Sequence, residues 1–269
     1  MVRLFATDVD HTLYDAKRNC ISKRNIEAIK KMQDKGIYVV LASSRVLQGM
    51  KVIVNELALE KPLEYMIVNN GAELYEVKDY QLFLDHPFAM EDLELLEAFS
   101  KNHNVNFSIC QDTFTLTTGI DSSISYDFLN VGIDLHWVHD ITKKVVKPVY
   151  RCAFTGDKET IVLLEKEIKT LYGDRYFFNI PHPGYLDVSL LTVNKANAIM
   201  EIANRLGISK EEIACIGDGN NDVPMLKLAG ISGCVGNGSA LAKESATYVV
   251  DSCEEDGFAK FVETYILGE

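Results

Sequence analysis

Short apolar runs alternate with stretches of helical spacing at both ends of this chain, and that alternation constrains its fold more than any other feature. Leu4 to Thr7, Tyr38 to Ala42 and Tyr65 to Val68 read as buried strands. Between them, Ser22 can cap a helix to about Lys35, with Ile26, Ile29 and Met32 inward and Gly36 at the stop. Val46, Met50, Ile53, Val54 and Leu57 repeat at the same period. Downstream, Lys195 to Leu206 reads as a helix with Ala198, Ile199, Ile202 and Leu206 inward and Gly207 after it. Strands over Ile213 to Ile216, Ile231 to Val235 and Tyr248 to Val250 follow, separated by short helices over Val223 to Leu228 and Ala240 to Ser245. Gly257 to Leu267 closes the chain as a helix. Apolar strands alternating with amphipathic helices imply a parallel sheet covered on both faces.

The middle of the chain follows another pattern. Helices are expected near 90–102, 121–131 and 157–171, and strands near 105–110, 113–117, 147–154, 175–179 and 185–189. Strands that adjoin without a helix between them imply an antiparallel sheet with helices on one face. The fold class is therefore α/β, with residues 1–82 and 187–269 forming a discontinuous core and residues 83–186 an inserted α+β domain. Tyr126, Phe128 and Trp137 read as core of the insert.

The chain's 269 residues are enough for one large domain or two moderate ones. Its formal net charge of -12 disfavours a nucleic-acid partner, because a phosphate backbone needs a basic face. No apolar run approaches the roughly 18 residues of a membrane span, and Asp8 interrupts any signal-peptide core, so a cytoplasmic protein is expected. Six cysteines without a CxxC pair read as reduced thiols.

Four clusters carry candidate chemistry. Asp8-Val9-Asp10-His11-Thr12-Leu13 follows the first strand. Asp is disfavoured within strands, and ligands of open parallel sheets bind outside the strands' carboxyl ends. The plain alternative is a loop start. Gly217-Asp218-Gly219-Asn220-Asn221-Asp222 follows a later strand. Two acidic loops on neighbouring strands make an oxygen-rich pocket for a hard divalent cation such as Mg²⁺, although the composition also suits an ordinary turn. Ser43-Ser44-Arg45 ends the second strand, where hydroxyls and N–H groups bind phosphate or merely cap a helix. Lys195 opens a helix against the macrodipole, which suggests a task beyond an exposed lysine's.

Taken together, in the order acid pair, hydroxyl, lysine, acid pair, these motifs resemble those of the haloacid dehalogenase superfamily, in particular its Cof-type, subclass IIB sugar-phosphatase-like members. The resemblance covers the whole length. It implies a Rossmann-like parallel core with an inserted cap after the third strand. Asp8 and Asp10 match the family's DxDGT, with His11 in place of the Gly. Ser43-Ser44-Arg45 stands where the family usually has Thr-Gly-Arg. Lys195 matches the third motif, Asp218, Asn221 and Asp222 match GDxxND, and Asn70-Gly71-Ala72 resembles the stretch before the cap.

The resemblance implies a Mg²⁺-dependent phosphatase of small phosphorylated metabolites, sugar phosphates above all. Asp8 would be the nucleophile and Asp10 the acid/base. Asp8, Asp10 (through its carbonyl) and Asp218 would hold the metal. Ser43, Ser44, Lys195 and Asn221 would hold the phosphate, and Asp222 would orient Lys195 or a metal-bound water. Arg45 would face the substrate or pair with an acidic residue near the cap, and Asn70 is a further substrate contact. Arg151, His182 and Tyr185 are candidate contacts in the cap, equally readable as packed or surface side chains. A phosphomutase of the same superfamily and a non-catalytic phosphometabolite binder are the alternatives. The oligomeric state is not legible from the sequence.

Overall fold

The computed structural model describes residues 1–111, 113–125, 134–146 and 148–269. These divide into two compact units, Met1–Asp85 with Asn194–Glu269, and His86–Val193. The expected boundaries near 82 and 187 both shift toward the C-terminus, for one reason each. Strand β7 (Gln81–Asp85) pairs with β6 (Glu73–Glu76) in the first unit, and β13 (Tyr185–Leu190) pairs with strands of the second.

The first unit holds an eight-stranded sheet in the order β16-β15-β14-β1-β4-β5-β6-β7. Here β1 is Leu4–Thr7, β4 Tyr38–Ala42, β5 Tyr65–Val68, β14 Ile213–Gly217, β15 Ile231–Cys234 and β16 Tyr248–Val249. The run from β16 to β5 is parallel, as the alternation implies, and β6 and β7 extend it antiparallel. Successive residues of β1 point to opposite faces. Phe5 joins a core with helix α1 (Lys23–Asp34), helix α2 (Leu47–Leu57) and the C-terminal helix. Leu4 and Ala6 join the core under the Lys195–Leu206 helix. Ser22 caps α1 by accepting the Asn25 N–H, and Gly36 continues past its end at φ +75°. The closing helix is α-helical over Gly257–Phe261 and turns to the wider π form over Val262–Leu267. The small antiparallel pair β2 (Tyr14–Asp15) and β3 (Cys20–Ile21) has no hydrophobic alternation to announce it.

The second unit is a six-stranded sheet, β10-β9-β8-β11-β13-β12. Its members are β8 (Asn106–Cys110), β9 (Phe114–Thr117), β10 (Asp134–Trp137), β11 (Cys152–Thr155), β12 (Tyr176–His182) and β13. Helices over Met90–His103 and Lys158–Tyr172 cover one face. The strand expected from 147 begins at Cys152 instead, since Pro148 lacks the N–H that a ladder needs. Residues 122–125 are helical, with Ile124 packed against Ala153 and Tyr185; the rest of the helix expected near 121–131, with Tyr126 and Phe128, lies outside the described residues. Trp137, expected in the core, sits on edge strand β10 and is 62% exposed, its indole N–H donating to the Thr118 carbonyl. Among the described residues no helix is long and apolar enough to cross a membrane.

None of the six cysteines forms a disulfide. Cys20 and Cys110 are half-buried and the other four are buried. Burial pushes the Cys234 and Cys253 thiols up to about 11 and raises Cys152 and Cys215 as well, so none of the four is a thiolate near neutrality. Iodoacetamide at pH 8, followed by peptide mass spectrometry, is expected to modify Cys20 and Cys110 first, and all six only after unfolding in urea. Rapid native labelling of Cys152 or Cys215 would contradict this packing.

Candidate active site

Strand order brings the sequence clusters together. In the sheet β1 lies between β14 and β4, so the turns after all three strands open at the same edge. Asp8 follows β1 directly, and its N–H donates to the Ile216 carbonyl of β14. The turn from Val9 to Tyr14 is closed by N–H groups of Thr12, Leu13 and Tyr14 on the Val9 carbonyl. Lys195 begins its helix beside this edge, with Asn194 as the cap. Gly71 permits that approach: at φ +110°, a Cβ there would lie 2.5 Å from the Asn194 carbonyl oxygen.

The centre of the site is an ion cluster. Lys195 is fully buried, and its Nζ donates to Asp8 Oδ1 at 2.5 Å and to Asp222 Oδ1 at 2.6 Å. The other oxygen of Asp222 accepts the backbone N–H groups of Asp218 (2.9 Å) and Gly219 (2.8 Å). Gly217 is needed here, because a Cβ would meet Asp222 Oδ2 at 2.6 Å. Thr12 Oγ1 donates to Asp218 Oδ1 at 3.2 Å. Carboxylate oxygens of Asp8, Asp218 and Asp222 lie within 4.8 Å of one another. Burial lifts the Asp8 carboxyl well above the ordinary range; Lys195 opposes that lift, and the charges of Asp222 and Asp218 add to it. Burial, then the Asp222 charge, also raises Asp218. Burial alone would lower Lys195, but the charges of Asp222 and Asp8 outweigh it and raise the ammonium instead.

Asp10 stands apart from this cluster. Arg45 grips its carboxylate with two contacts, Nε to Oδ2 at 2.9 Å and Nη2 to Oδ1 at 2.6 Å, and the guanidinium also lies 5.2 Å from the centre of the Tyr14 ring. Of the two readings open for Arg45, a substrate contact or an acidic partner near the cap, neither anticipates Asp10 as that partner. Ser43 is buried, its Oγ accepting the Arg45 N–H at 3.1 Å, while Ser44 is exposed. The N-cap of α2 is Val46, so neither serine caps that helix. Asn70, at φ 58°, donates its N–H to the Ser43 carbonyl and accepts from Asn221 Nδ2 at 3.3 Å. Asp8, Lys195, Asp218 and Asp222 thus meet directly; Asp10 with Arg45, and Asn70 with Asn221, form two further pairs. In the second unit, Arg151 pairs with Asp187 and lies over Tyr185, and the His182 and Tyr185 rings are 4.9 Å apart. Sequence reasoning gave no separate role to Thr12, although it ends the first motif. It missed Asn237, whose Nδ2 donates to the His11 carbonyl across 226 positions with no local signal.

Residues 5–262 match the haloacid dehalogenase-like hydrolase family. The chain belongs to that family. It is 28% identical over 272 residues to the 5-amino-6-(5-phospho-D-ribitylamino)uracil phosphatase YcsE of Bacillus subtilis, covering 99% of this chain and 96% of the relative. A phosphatase described as putative in Buchnera aphidicola is also 28% identical, over 277 residues, covering 97% and 95%. A haloacid dehalogenase-like hydrolase from Bacteroides thetaiotaomicron shares the fold, with TM-score 0.85, 24% identity and 98% and 99% of the two chains covered. As a member of this hydrolase family, the chain is an enzyme of the phosphatase class.

The ion cluster sets an energetic expectation. Asp222→Asn removes a negative charge beside a fully buried lysine and leaves one oxygen where two now serve Lys195 and two backbone donors. Urea unfolding is expected to show a loss of about 3–5 kcal/mol, the usual cost of breaking a buried pair from one side. A loss below about 1 kcal/mol would contradict the cluster's structural weight.

Proposed function

We propose that this enzyme hydrolyses small phosphorylated metabolites, polyol and sugar phosphates in particular, through an aspartyl-phosphate on Asp8 with Mg²⁺ bound. The observation that carries the reading is the buried Lys195 ammonium joining Asp8 to Asp222 at the sheet edge. A phosphoryl group needs positioning and charge compensation, and this edge has both. The reading is supported by the family and by the relative named for a ribityl phosphate, an open-chain polyol ester.

In the first step an Asp8 oxygen attacks phosphorus in line, and the bond to the leaving alcohol breaks. Asp10 gives that oxygen a proton. In the second step Asp10 takes a proton from the water that attacks phosphorus, the bond to Asp8 breaks, and inorganic phosphate leaves. Both Asp10 oxygens accept from Arg45, which fixes the orientation of the carboxylate for the second step. The first step requires the protonated form, and with it the loss of at least one Arg45 contact. Lys195 and Ser43 hold phosphoryl oxygens, with Asn221 and Asn70 beside them. Ser44, exposed at the same turn, contributes its backbone N–H.

The donor set fits a hard divalent cation. Three carboxylates face one ammonium, which leaves two negative charges without a partner, and all the ligand atoms are oxygens. Both oxygens of Asp222 already accept hydrogen bonds, so Asp8 and Asp218 would hold the ion, together with the Asp10 carbonyl. When bound, Mg²⁺ neutralises charge between the nucleophile and the phosphate. The inserted unit is assigned the choice among leaving groups. Six cysteines without a disulfide fit a reducing cytoplasm, and a net charge of -12 fits no nucleic acid as partner.

Phosphate release from a panel of hexose, pentose, polyol and aryl phosphates tests the reading. Release is expected with Mg²⁺, is abolished by EDTA and restored by added Mg²⁺, and falls at least about a thousandfold in Asp8→Asn. Wild-type rates in the folded Asp8→Asn variant would overturn it.

A further inference from the structure

We propose that His11 is a specificity residue, hydrogen-bonding a leaving-group hydroxyl on the carbon next to the phosphate ester. The inference rests on the phosphatase reading above and names a feature of its substrate.

Three observations carry it. First, His11 holds φ +61°, a left-handed conformation that costs a side chain about 1 kcal/mol. Eight described non-glycine residues have positive φ, and five of them are Asn or Asp, which tolerate it best. Of the other three, Ala58 caps the end of α2, and the Tyr80 ring packs on the core beneath Lys51. The His11 imidazole is exposed and makes no hydrogen bond or ring contact among the described residues. Second, the main chain alone sets this conformation. The His11 carbonyl accepts Asn237 Nδ2 at 2.8 Å, its N–H donates to the Tyr14 carbonyl at 3.0 Å, and Asn237 is itself held by the Cys253 N–H at 2.8 Å. A glycine would fit this loop without strain, so the backbone conformation does not require the imidazole.

Third, His11 lies between Asp10, the proton donor to the leaving oxygen, and Thr12, which donates to Asp218. The residues assigned to the phosphoryl oxygens, Ser43 and Lys195, come from other segments. The side chain after Asp10 is therefore placed to meet the leaving group. A neutral imidazole has one donor and one acceptor, and a hydroxyl answers both. A polyol phosphate presents such a hydroxyl beside the ester, and an unsubstituted alkyl phosphate does not.

The test measures kcat and KM for sn-glycerol 3-phosphate and propyl phosphate with wild type, His11→Gly and His11→Asn. Wild type is expected to favour the glycerol ester in kcat/KM. His11→Gly is expected to lower that preference by about three- to tenfold through KM, the size of one hydrogen bond. His11→Asn, which tolerates the same backbone and keeps a donor and an acceptor, is expected to retain part of it. The Tm of His11→Gly is expected to be unchanged or higher, because the loop relaxes. An unchanged preference in His11→Gly, or an equal loss on both esters, overturns the assignment and leaves the phosphatase reading standing. No hydrolysis of either ester by wild type overturns the assignment through the reading it rests on.

Discussion

The ammonium of Lys195 has no surface in water, and the rest of the site depends on how it is compensated. A buried charge without partners is costly, and here two carboxylates meet it within 2.6 Å. They come from the end of β1 and from the turn after β14, while the lysine comes from the start of a helix. One ion cluster therefore ties three segments, and the tie closes only when strand order places β1 beside β14. The same contacts that stabilise the fold orient Asp8, the nucleophile of the proposed reaction. Structure and chemistry share these atoms, so the site cannot loosen without cost to the domain.

Around that centre, the supporting contacts are mostly backbone. Asp222 accepts two N–H groups of its own loop, Ser43 accepts the Arg45 N–H, and Asn237 holds the His11 carbonyl. Such backbone pins suit a reaction that depends on position more than on side-chain variety. Two glycines belong to the same economy of space. Gly71 lets the chain approach the Asn194 carbonyl, and Gly217 leaves room for the Asp222 carboxylate. Arg45 is the side-chain exception, since it holds both Asp10 oxygens, and the proposed proton transfer to the leaving group requires at least one of those contacts to open.

Much of the core was legible in the sequence because its strands are buried on both faces. Leu4–Thr7, Tyr38–Ala42 and Tyr65–Val68 are continuous apolar runs, and helix limits carry their own marks in Ser22, Gly36, Asn194 and Gly207. Strands without that signal escaped. Glu73–Glu76, Gln81–Asp85 and Asp134–Trp137 mix charged and apolar residues and owe their place to a neighbouring strand. At the site, residue types at strand ends pointed to Asp8, Asp218 and Lys195. The partner of Arg45 and the role of Asn237 depend on contacts between distant segments, which no local pattern encodes. The insert's edges were misplaced for the same reason: β13 is assigned by what it pairs with, not by its composition.

The central claim is that Asp8 takes the phosphoryl group before water does. The stereochemical course at phosphorus, measured with an isotopically chiral phosphorothioate ester hydrolysed in labelled water, tests it most directly. Two successive in-line displacements, the first at Asp8, predict overall retention of configuration. Inversion would mean a single direct attack by water, and would contradict the covalent role given to Asp8.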